Sequence, residues 1–312
     1  MRNLKGKTAF VTGAASGIGL GMTEAFVAAG MRVVMADVDA AALENSSAGL
    51  RRAGAEVLPM VLDVTQPAAW EAAAAQLSAG FGPVDVLCNN AGMGQGRMVS
   101  GRPYELTEIG PALWQLLLET NVSSVYHGIR TFVPSMKARG NGGHIVNTSS
   151  MAGLLAPPGL AVYAATKFAV LGLSEAVRAE LQPHGIGVSV LCPGAVQSNL
   201  TANSASVRQA NAGANAGMQE AMQNQPVTAH VFMRAREVGD RVVQAILNDE
   251  LYILTHPEYA PLVQERFSSV LSAVGDSAQP GYADTPAMLQ KSRSPIYQEL
   301  AARLRKPQGD QA

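Results

Sequence analysis

From Thr8 to Asp37 the chain passes through a short apolar run (TAFVT, Thr8 to Thr12) and a turn carrying Gly13, Gly17 and Gly19. A helical pattern follows to Ala29, then a second apolar run (Arg32 to Ala36) closed by Asp37. Strand, glycine-rich turn, helix and strand make a βαβ unit, and two parallel strands can be joined only through such a crossover. This unit restricts the fold more than any other feature of the chain. Glycines in the turn let the backbone come close to a ligand, and the N-terminus of the following helix favours negative charge. A pyrophosphate fits both properties. Asp37, about 20 residues past the turn, is placed to accept hydrogen bonds from a ribose. The spacing is G-x-x-x-G-x-G, which differs from the general G-x-G-x-x-G fingerprint.

The alternation continues. Ala40 to Ala53 reads as helix, Glu56 to Leu62 as strand, Pro67 to Ala79 as helix and Val84 to Asn89 as strand. A long helix is predicted over Pro111 to Arg139, broken near Pro134. His144 to Thr148 and Gly187 to Cys192 read as strands around a helix from Tyr163 to Gln182. A helix over Arg236 to Asp249, a strand over Leu251 to Thr255 and a helix over Pro257 to Val274 follow. Leu262, Phe267, Val270 and Leu271 are candidates for the buried face of that last helix. A short helix is expected at Tyr297 to Arg305. The pattern predicts an α/β fold with one doubly wound parallel sheet of about seven strands and helices on both faces. Sites in such sheets form outside the carboxyl ends of the strands.

Composition narrows the function. Net charge is −1, and no basic stripe suited to nucleic acid is present. Cys88 and Cys192 lie far apart in apolar runs and read as buried free thiols. The five histidines form no H-x-x-x-H pattern, so no metal is expected. No apolar run reaches the length of a membrane span, and the N-terminal residues resemble neither a signal peptide nor a presequence. A cytoplasmic protein is the expectation.

The stretch Ser150 to Lys167 holds the candidate chemistry. Ser150 precedes Tyr163 by thirteen residues, and Lys167 follows it by four. On a helix, residues four apart share a face, and a neighbouring ammonium favours the phenolate and lowers the phenol's pKa. A phenol so tuned can exchange a proton with an alcohol oxygen. By itself Y-x-x-x-K is a weak signal, because tyrosine and lysine often share an exposed helix face.

Thr201 to Gln225 is rich in Ala, Asn, Ser, Gln and Gly. It reads either as a low-complexity linker or as a lid over the site, and the lid is favoured because loops of this length inside compact domains are usually functional or disordered. The expected organisation is a dinucleotide-binding catalytic domain over residues 1–256, with the lid at about 199–235. Residues 257–312 form a C-terminal helical extension packed on the same domain.

Five signals in order give a resemblance to the short-chain dehydrogenase/reductase family over roughly residues 4–256. They are T-G-A-A-S-G-I-G at Thr12 to Gly19, Asp63-Val64, N-N-A-G at Asn89 to Gly92, the Ser150–Tyr163–Lys167 set, and Pro193-Gly194. The resemblance implies a Rossmann-type fold and hydride transfer between a nicotinamide cofactor and a secondary alcohol or ketone. It makes Tyr163 the general acid/base, Lys167 the ribose ligand that lowers its pKa, and Ser150 the group holding the substrate oxygen. Asn121 would hold a water in a proton relay reaching Lys167. Gly13, Ser16, Gly17, Ile18 and Gly19 would cradle the cofactor phosphates. Asp63 and Val64 would flank the adenine, with Asn90, Ala91 and Gly92 along the cleft. Pro193, Gly194, Val196 and Ser198 would stand by the nicotinamide, Ser198 where the family often has threonine. Asp37, with no basic residue in the turn, implies NAD over NADP. A looser similarity links Leu251 to Phe267 and Gly185 to Leu200 with the bacterial Cα-dehydrogenases of lignin-dimer breakdown. That similarity implies a bulky benzylic substrate under a lid bearing Met218, Met222, Val231, Phe232 and Met233. Steroid-like and small aliphatic alcohols are alternatives, and a binding-only dinucleotide sensor is an alternative of another class. The resemblance also implies a homodimer or homotetramer formed through the helices at 111–139 and 163–182.

Overall fold

The structure is a computed structural model. It describes residues 1, 3–95, 98–99, 102–103, 105–197, 232–274, 290 and 293–298. Ser198 and most of the predicted lid, residues 199–231, lie outside the described residues, as does most of the helix expected at 297–305.

Seven parallel strands form the main sheet: β1 (Thr8–Thr12), β2 (Arg32–Asp37), β3 (Val57–Val61), β4 (Val86–Asn89), β5 (Gly143–Thr148), β6 (Ile186–Cys192) and β7 (Tyr252–Leu254). Their spatial order is β3-β2-β1-β4-β5-β6-β7. The helices are α1 (Gly17–Ala28), α2 (Ala40–Arg52), α3 (Pro67–Ala79), α4 (Pro111–Leu118), α5 (Ser124–Arg139), α6 (Ala161–Leu181), α7 (Ala235–Asn248) and α8 (Ala260–Ser272). The direction of winding reverses between β1 and β4, which leaves a crevice at their carboxyl ends.

Both faces of the central strands are covered, so these strands read as continuous apolar runs. Side chains alternate along β1. Ala9 and Val11 join a core with Met22, Phe26, Val238 and Ile246, while Phe10 joins one with Trp70, Phe132 and Met136. Phe10 and Phe132 ring centroids lie 4.9 Å apart. Burial of such side chains contributes about 1.5–3 kcal/mol each. Helices α1 and α7 cross in close contact. A Cβ at Gly21 would strike the Ala235 carbonyl, and one at Gly239 would strike the Gly21 carbonyl.

Three expectations need correction. The predicted long helix is interrupted at a π segment, Glu119–Ser123, while Pro134 lies inside continuous α5. Pro134 and Arg130 face solvent, so water can satisfy the carbonyl that proline leaves unpaired. The second helix of the site opens at Ala161, two residues before Tyr163. Helix α8 does not bury the predicted face. Phe267 is 48 % and Leu271 70 % exposed, because α8 lies at the edge of the body and touches it through Val263 and through Arg266 over Phe168.

The C-terminal segment returns to the body. Ile296 is buried with Val190, Leu251 and Met151, and the hydroxyls of Tyr252 and Tyr297 donate to the two oxygens of Glu175 at 2.7 and 2.6 Å.

His144 on β5 is fully buried. Ser189 Oγ donates to the Glu250 carbonyl, so it accepts from His144 Nε2–H at 2.8 Å, and Nδ1 makes no hydrogen bond, with Asp249 Oδ1 4.0 Å away. Burial pulls the His144 pKa from 6.5 down to about 3. Between those values the unfolded chain binds a proton that the folded chain refuses, so this group makes stability fall as pH falls through the window. His144→Gln should flatten the dependence of unfolding free energy on pH between about 6.5 and 4, by up to one proton's slope. Urea titrations across that range measure it, and an unchanged slope would refute the assignment.

Candidate active site

The carboxyl ends of the strands from β1 to β6 open into one cleft of about 990 Å³. At one end lies the turn between β1 and α1. Gly13, Ser16, Gly17 and Ile18 line the cleft there. Gly13 and Gly17 have φ of 65° and 51°, a conformation that favours glycine. A Cβ on Gly13 would stand 3.1 Å from the Ala91 Cα, and one on Gly19 would strike the Gly13 carbonyl. Gly19 therefore does not line the cleft but closes the turn upon itself. The result is a wall of backbone at the start of α1, which suits a pyrophosphate.

Asp37 closes β2. Its Oδ2 accepts from Ala15 N–H at 3.0 Å and its Oδ1 from Asp39 N–H at 3.1 Å. Asp63 and Val64 line the same end, with Asp63 Oδ1 accepting from Thr65. Among the described residues, Lys167 is the only basic side chain lining the cleft.

The middle of the cleft is held by Thr12 and Asn90. Thr12 Oγ1 donates to the Cys88 carbonyl at 3.3 Å and accepts from Asn90 and Ala91 N–H, both at 2.9 Å. Asn90 Nδ2 donates to the Thr12 carbonyl at 3.0 Å, and its Oδ1 accepts from Thr148 Oγ1 at 3.1 Å. One hydroxyl and one amide thus join the ends of β1, β4 and β5.

Ser150, Tyr163 and Lys167 meet at the cleft's floor. Lys167 Nζ is buried, donates to the Thr148 carbonyl at 3.0 Å and lies 5.6 Å from the Tyr163 ring centroid. Burial pulls its pKa down to about 8. Tyr163 differs from expectation: burial pushes its phenol pKa up, and the opposing influence is the hydrogen bond with Ser150. The lysine sits over the ring and is tied to a carbonyl, so its charge does not set the direction. Both serines border the cleft but their hydroxyls divide: Ser149 Oγ donates to the Lys167 carbonyl at 2.7 Å, while Ser150 bonds the phenol.

Asn121 lies behind the wall, buried in the π segment. Its Nδ2 donates to the Met93 carbonyl at 3.0 Å and to Thr166 Oγ1 at 3.1 Å, and its Oδ1 accepts from Met93 N–H at 2.8 Å. The side chain is committed to the backbone after β4. Gly92 is needed beside it, since a Cβ there would meet Asn121 Oδ1 at 3.2 Å and Lys167 Nζ at 3.4 Å.

Pro193, Gly194 and Val196 line the far end. Sequence reasoning missed the residue that fixes them. His256 Nδ1 accepts from Gly194 N–H at 3.1 Å, so its Nε2 carries the proton and donates to the Ala195 carbonyl at 3.1 Å. Thr12 and Gln95 were missed as well. No local pattern marks any of the three, because their partners lie 61 to 79 residues away in sequence.

Comparison with known proteins agrees with this geometry. The family model for short chain dehydrogenase matches residues 7–209, and the chain belongs to the short-chain dehydrogenase/reductase family. It is similar to the 1-deoxy-11-beta-hydroxypentalenate dehydrogenase of Streptomyces exfoliatus, 33 % identical over 86 % of this chain and 90 % of the relative. It is also similar to the C alpha-dehydrogenase of Sphingobium sp. strain SYK-6, 31 % identical over 88 % of each. A Burkholderia phymatum family member in complex with NAD superposes with a TM-score of 0.77 at 34 % identity, covering 89 % of this chain and 99 % of the other. A Sphingobium yanoikuyae enzyme in complex with NADPH gives 0.67 at 25 % identity, covering 89 % of this chain and all of the other. The protein is thus an oxidoreductase of alcohols and ketones that uses a nicotinamide dinucleotide. No helix among the described residues is long and apolar enough to cross a membrane.

The hydroxyl of Thr12 makes a prediction. Thr12→Val leaves two part-buried N–H groups without their acceptor and should cost about 1–3 kcal/mol, less than two fully buried groups would, because the cleft admits water to them. Denaturant unfolding measures the loss, and a change below about 0.5 kcal/mol would refute the clamp.

Proposed function

We propose that this protein interconverts a bulky, lipophilic secondary alcohol and its ketone with NAD, the benzylic class being the leading substrate, and that Tyr163 is the general acid/base. The observation that carries the reading is the meeting of Ser150, Tyr163 and Lys167 on the floor of the cleft, beside a wall that includes Met93, Leu116 and Phe232. When bound, the dinucleotide supplies the hydride acceptor. The protein's part is to hold the carbinol oxygen between Ser150 and Tyr163 and to receive its proton at the Tyr163 phenol oxygen. Lys167 holds the nicotinamide ribose, and Asn121 keeps the backbone after β4 in register with the proton relay. The adenosine end supports NAD over NADP, because the Asp37 carboxylate pairs with a free ribose hydroxyl and repels a phosphate. The similarity to the C alpha-dehydrogenase supports the benzylic class. A steroid-like or other lipophilic alcohol is the second reading, favoured by the relative that acts on a hydroxypentalenate.

The domain plan expected from sequence stays part of this proposal, with residues 1–256 catalytic and 257–312 an extension upon them. Assembly into a dimer or tetramer through α4, α5 and α6 belongs here too, supported by Trp114 and Tyr126, which are 41 % and 49 % exposed on α4 and α5. Light scattering reads the assembly directly.

The decisive assay is NADH formation against a panel running from small aliphatic alcohols through 1-arylethanols and diaryl-ether benzylic alcohols to steroids. Activity should rise with aryl bulk, and activity confined to small alcohols would remove the substrate class. NAD should exceed NADP in kcat/KM by at least about tenfold, a difference of about 1.4 kcal/mol; equal values would overturn the cofactor assignment. Tyr163→Phe should nearly abolish turnover while leaving NADH binding intact. With the phenol pKa raised by burial, kcat/KM for alcohol oxidation should climb with pH from about 7 to about 10, because the base form is the reactive one. Ketone reduction, which uses the protonated phenol, should stay flat over the same range and fall only above it. A flat profile for oxidation would exclude a titrating phenol.

A further inference from the structure

Leu160, the residue before α6, offers no side-chain cap. The first four N–H groups of a helix have no partner inside it, and a buried one left unpaired costs free energy. Tyr163 carries one of these groups. Its partner comes from 68 residues upstream: Gln95 Oε1 accepts from Tyr163 N–H at 2.7 Å. The same amide's Nε2 donates to the Gly159 carbonyl at 2.9 Å, just before the helix. Gln95 is 1 % exposed and does not line the cleft. Both ends of its amide are therefore spent on the start of α6.

We propose that Gln95 is a positioning residue for catalysis, setting the height and tilt of the Tyr163 phenol by capping α6 at the tyrosine's own backbone. The inference rests on Tyr163 being the acid/base. Its force comes from the position of Gln95 in the chain. Gly92 to Gln95 lies just past β4, with two residues between it and the strand's end at Asn89. Two amide side chains tie this short run to the helical elements beside the site: Asn121 grips Met93 on both sides, and Gln95 grips Gly159 and Tyr163. Asn121 also reaches Thr166, whose hydroxyl donates to the Tyr163 carbonyl at 2.7 Å. The N–H and the carbonyl of Tyr163 are thus both referred, through amides, to the same run. A shift of Met93 to Gln95 against α6 moves the phenol relative to Ser150, which descends from β5. Misplacement of about an ångström can cost up to a hundredfold in rate.

The test uses Gln95→Met, close in size but without the amide, and Gln95→Glu, which keeps an acceptor for Tyr163 N–H and loses the donor to Gly159. The full-length protein is labelled with carbon-13 at the tyrosine phenol carbon, and the Tyr163 signal is the one absent from Tyr163→Phe. In Gln95→Glu the added carboxylate should move the Tyr163 titration to higher pH, and in Gln95→Met the titration should also depart from that of the parent. With 1-phenylethanol and NAD, Gln95→Met should lose about ten- to a hundredfold in kcat, while NADH affinity by cofactor fluorescence stays within about twofold. Unchanged titration and kcat with a lowered Tm would make Gln95 merely structural and overturn the proposal. If Gln95→Met fails to fold, the pH profile of kcat for Gln95→Glu decides: a plateau lowered about tenfold or more supports positioning, and a profile displaced in pH with its plateau kept overturns it. Full activity of Tyr163→Phe would instead refute the acid/base reading, an outcome separable from the first because the titration of Tyr163 is read without turnover.

Discussion

The bonds between Thr12 and Asn90 hold the site together. A parallel sheet that reverses its winding between β1 and β4 has strand ends diverging there, with helices leaving to opposite faces. The Thr12 hydroxyl uses its one hydrogen and both lone pairs on β4 and the residues after it, and Asn90 returns a bond to β1 and receives one from β5. This saturation defines the cleft floor without filling it. Everything that lines the cleft, from Gly13 to Lys167, keeps its place relative to these two side chains.

Around that clamp stand the groups proposed to carry the chemistry, and the fold has buried them at a cost. Lys167 gives up hydration for a single carbonyl, and its pKa falls accordingly. Tyr163 is driven the other way by the same desolvation. These opposed displacements reverse the ordinary order of the two groups and put the lysine below the phenol, so the lysine gives up its proton first. Perturbed pairs of this kind inside a cleft are characteristic of functional sites.

Distant parts of the chain also brace the site. His256, just past β7, holds the Pro193–Gly194–Ala195 backbone through both ring nitrogens, and a Cβ at Gly194 would meet its ring at 2.8 Å. Glu175 on α6 gathers Tyr252 and Tyr297, which brings the described residues around Tyr297 onto the helix that carries Tyr163 and Lys167. The residues after the last strand are thereby coupled to the wall of the cleft and to α6.

The sequence by itself determined the alternation of strands and helices, the glycine turn, and the set of Ser150, Tyr163 and Lys167, because each depends on short-range periodicity or spacing. The seven strands appear where apolar β-branched runs predict them, with ends differing by a residue or two. Tertiary structure alone decided what depends on partners far apart in the chain. It placed the helix break at Asn121 instead of Pro134, since the break serves Met93 and Thr166, whereas proline at a wet surface needs none. It left the apolar residues of α8 exposed, because periodicity reveals a stripe but not whether another element lies against it. It also set the direction of the Tyr163 shift, since helical spacing brings a lysine near but cannot say that burial outweighs its charge.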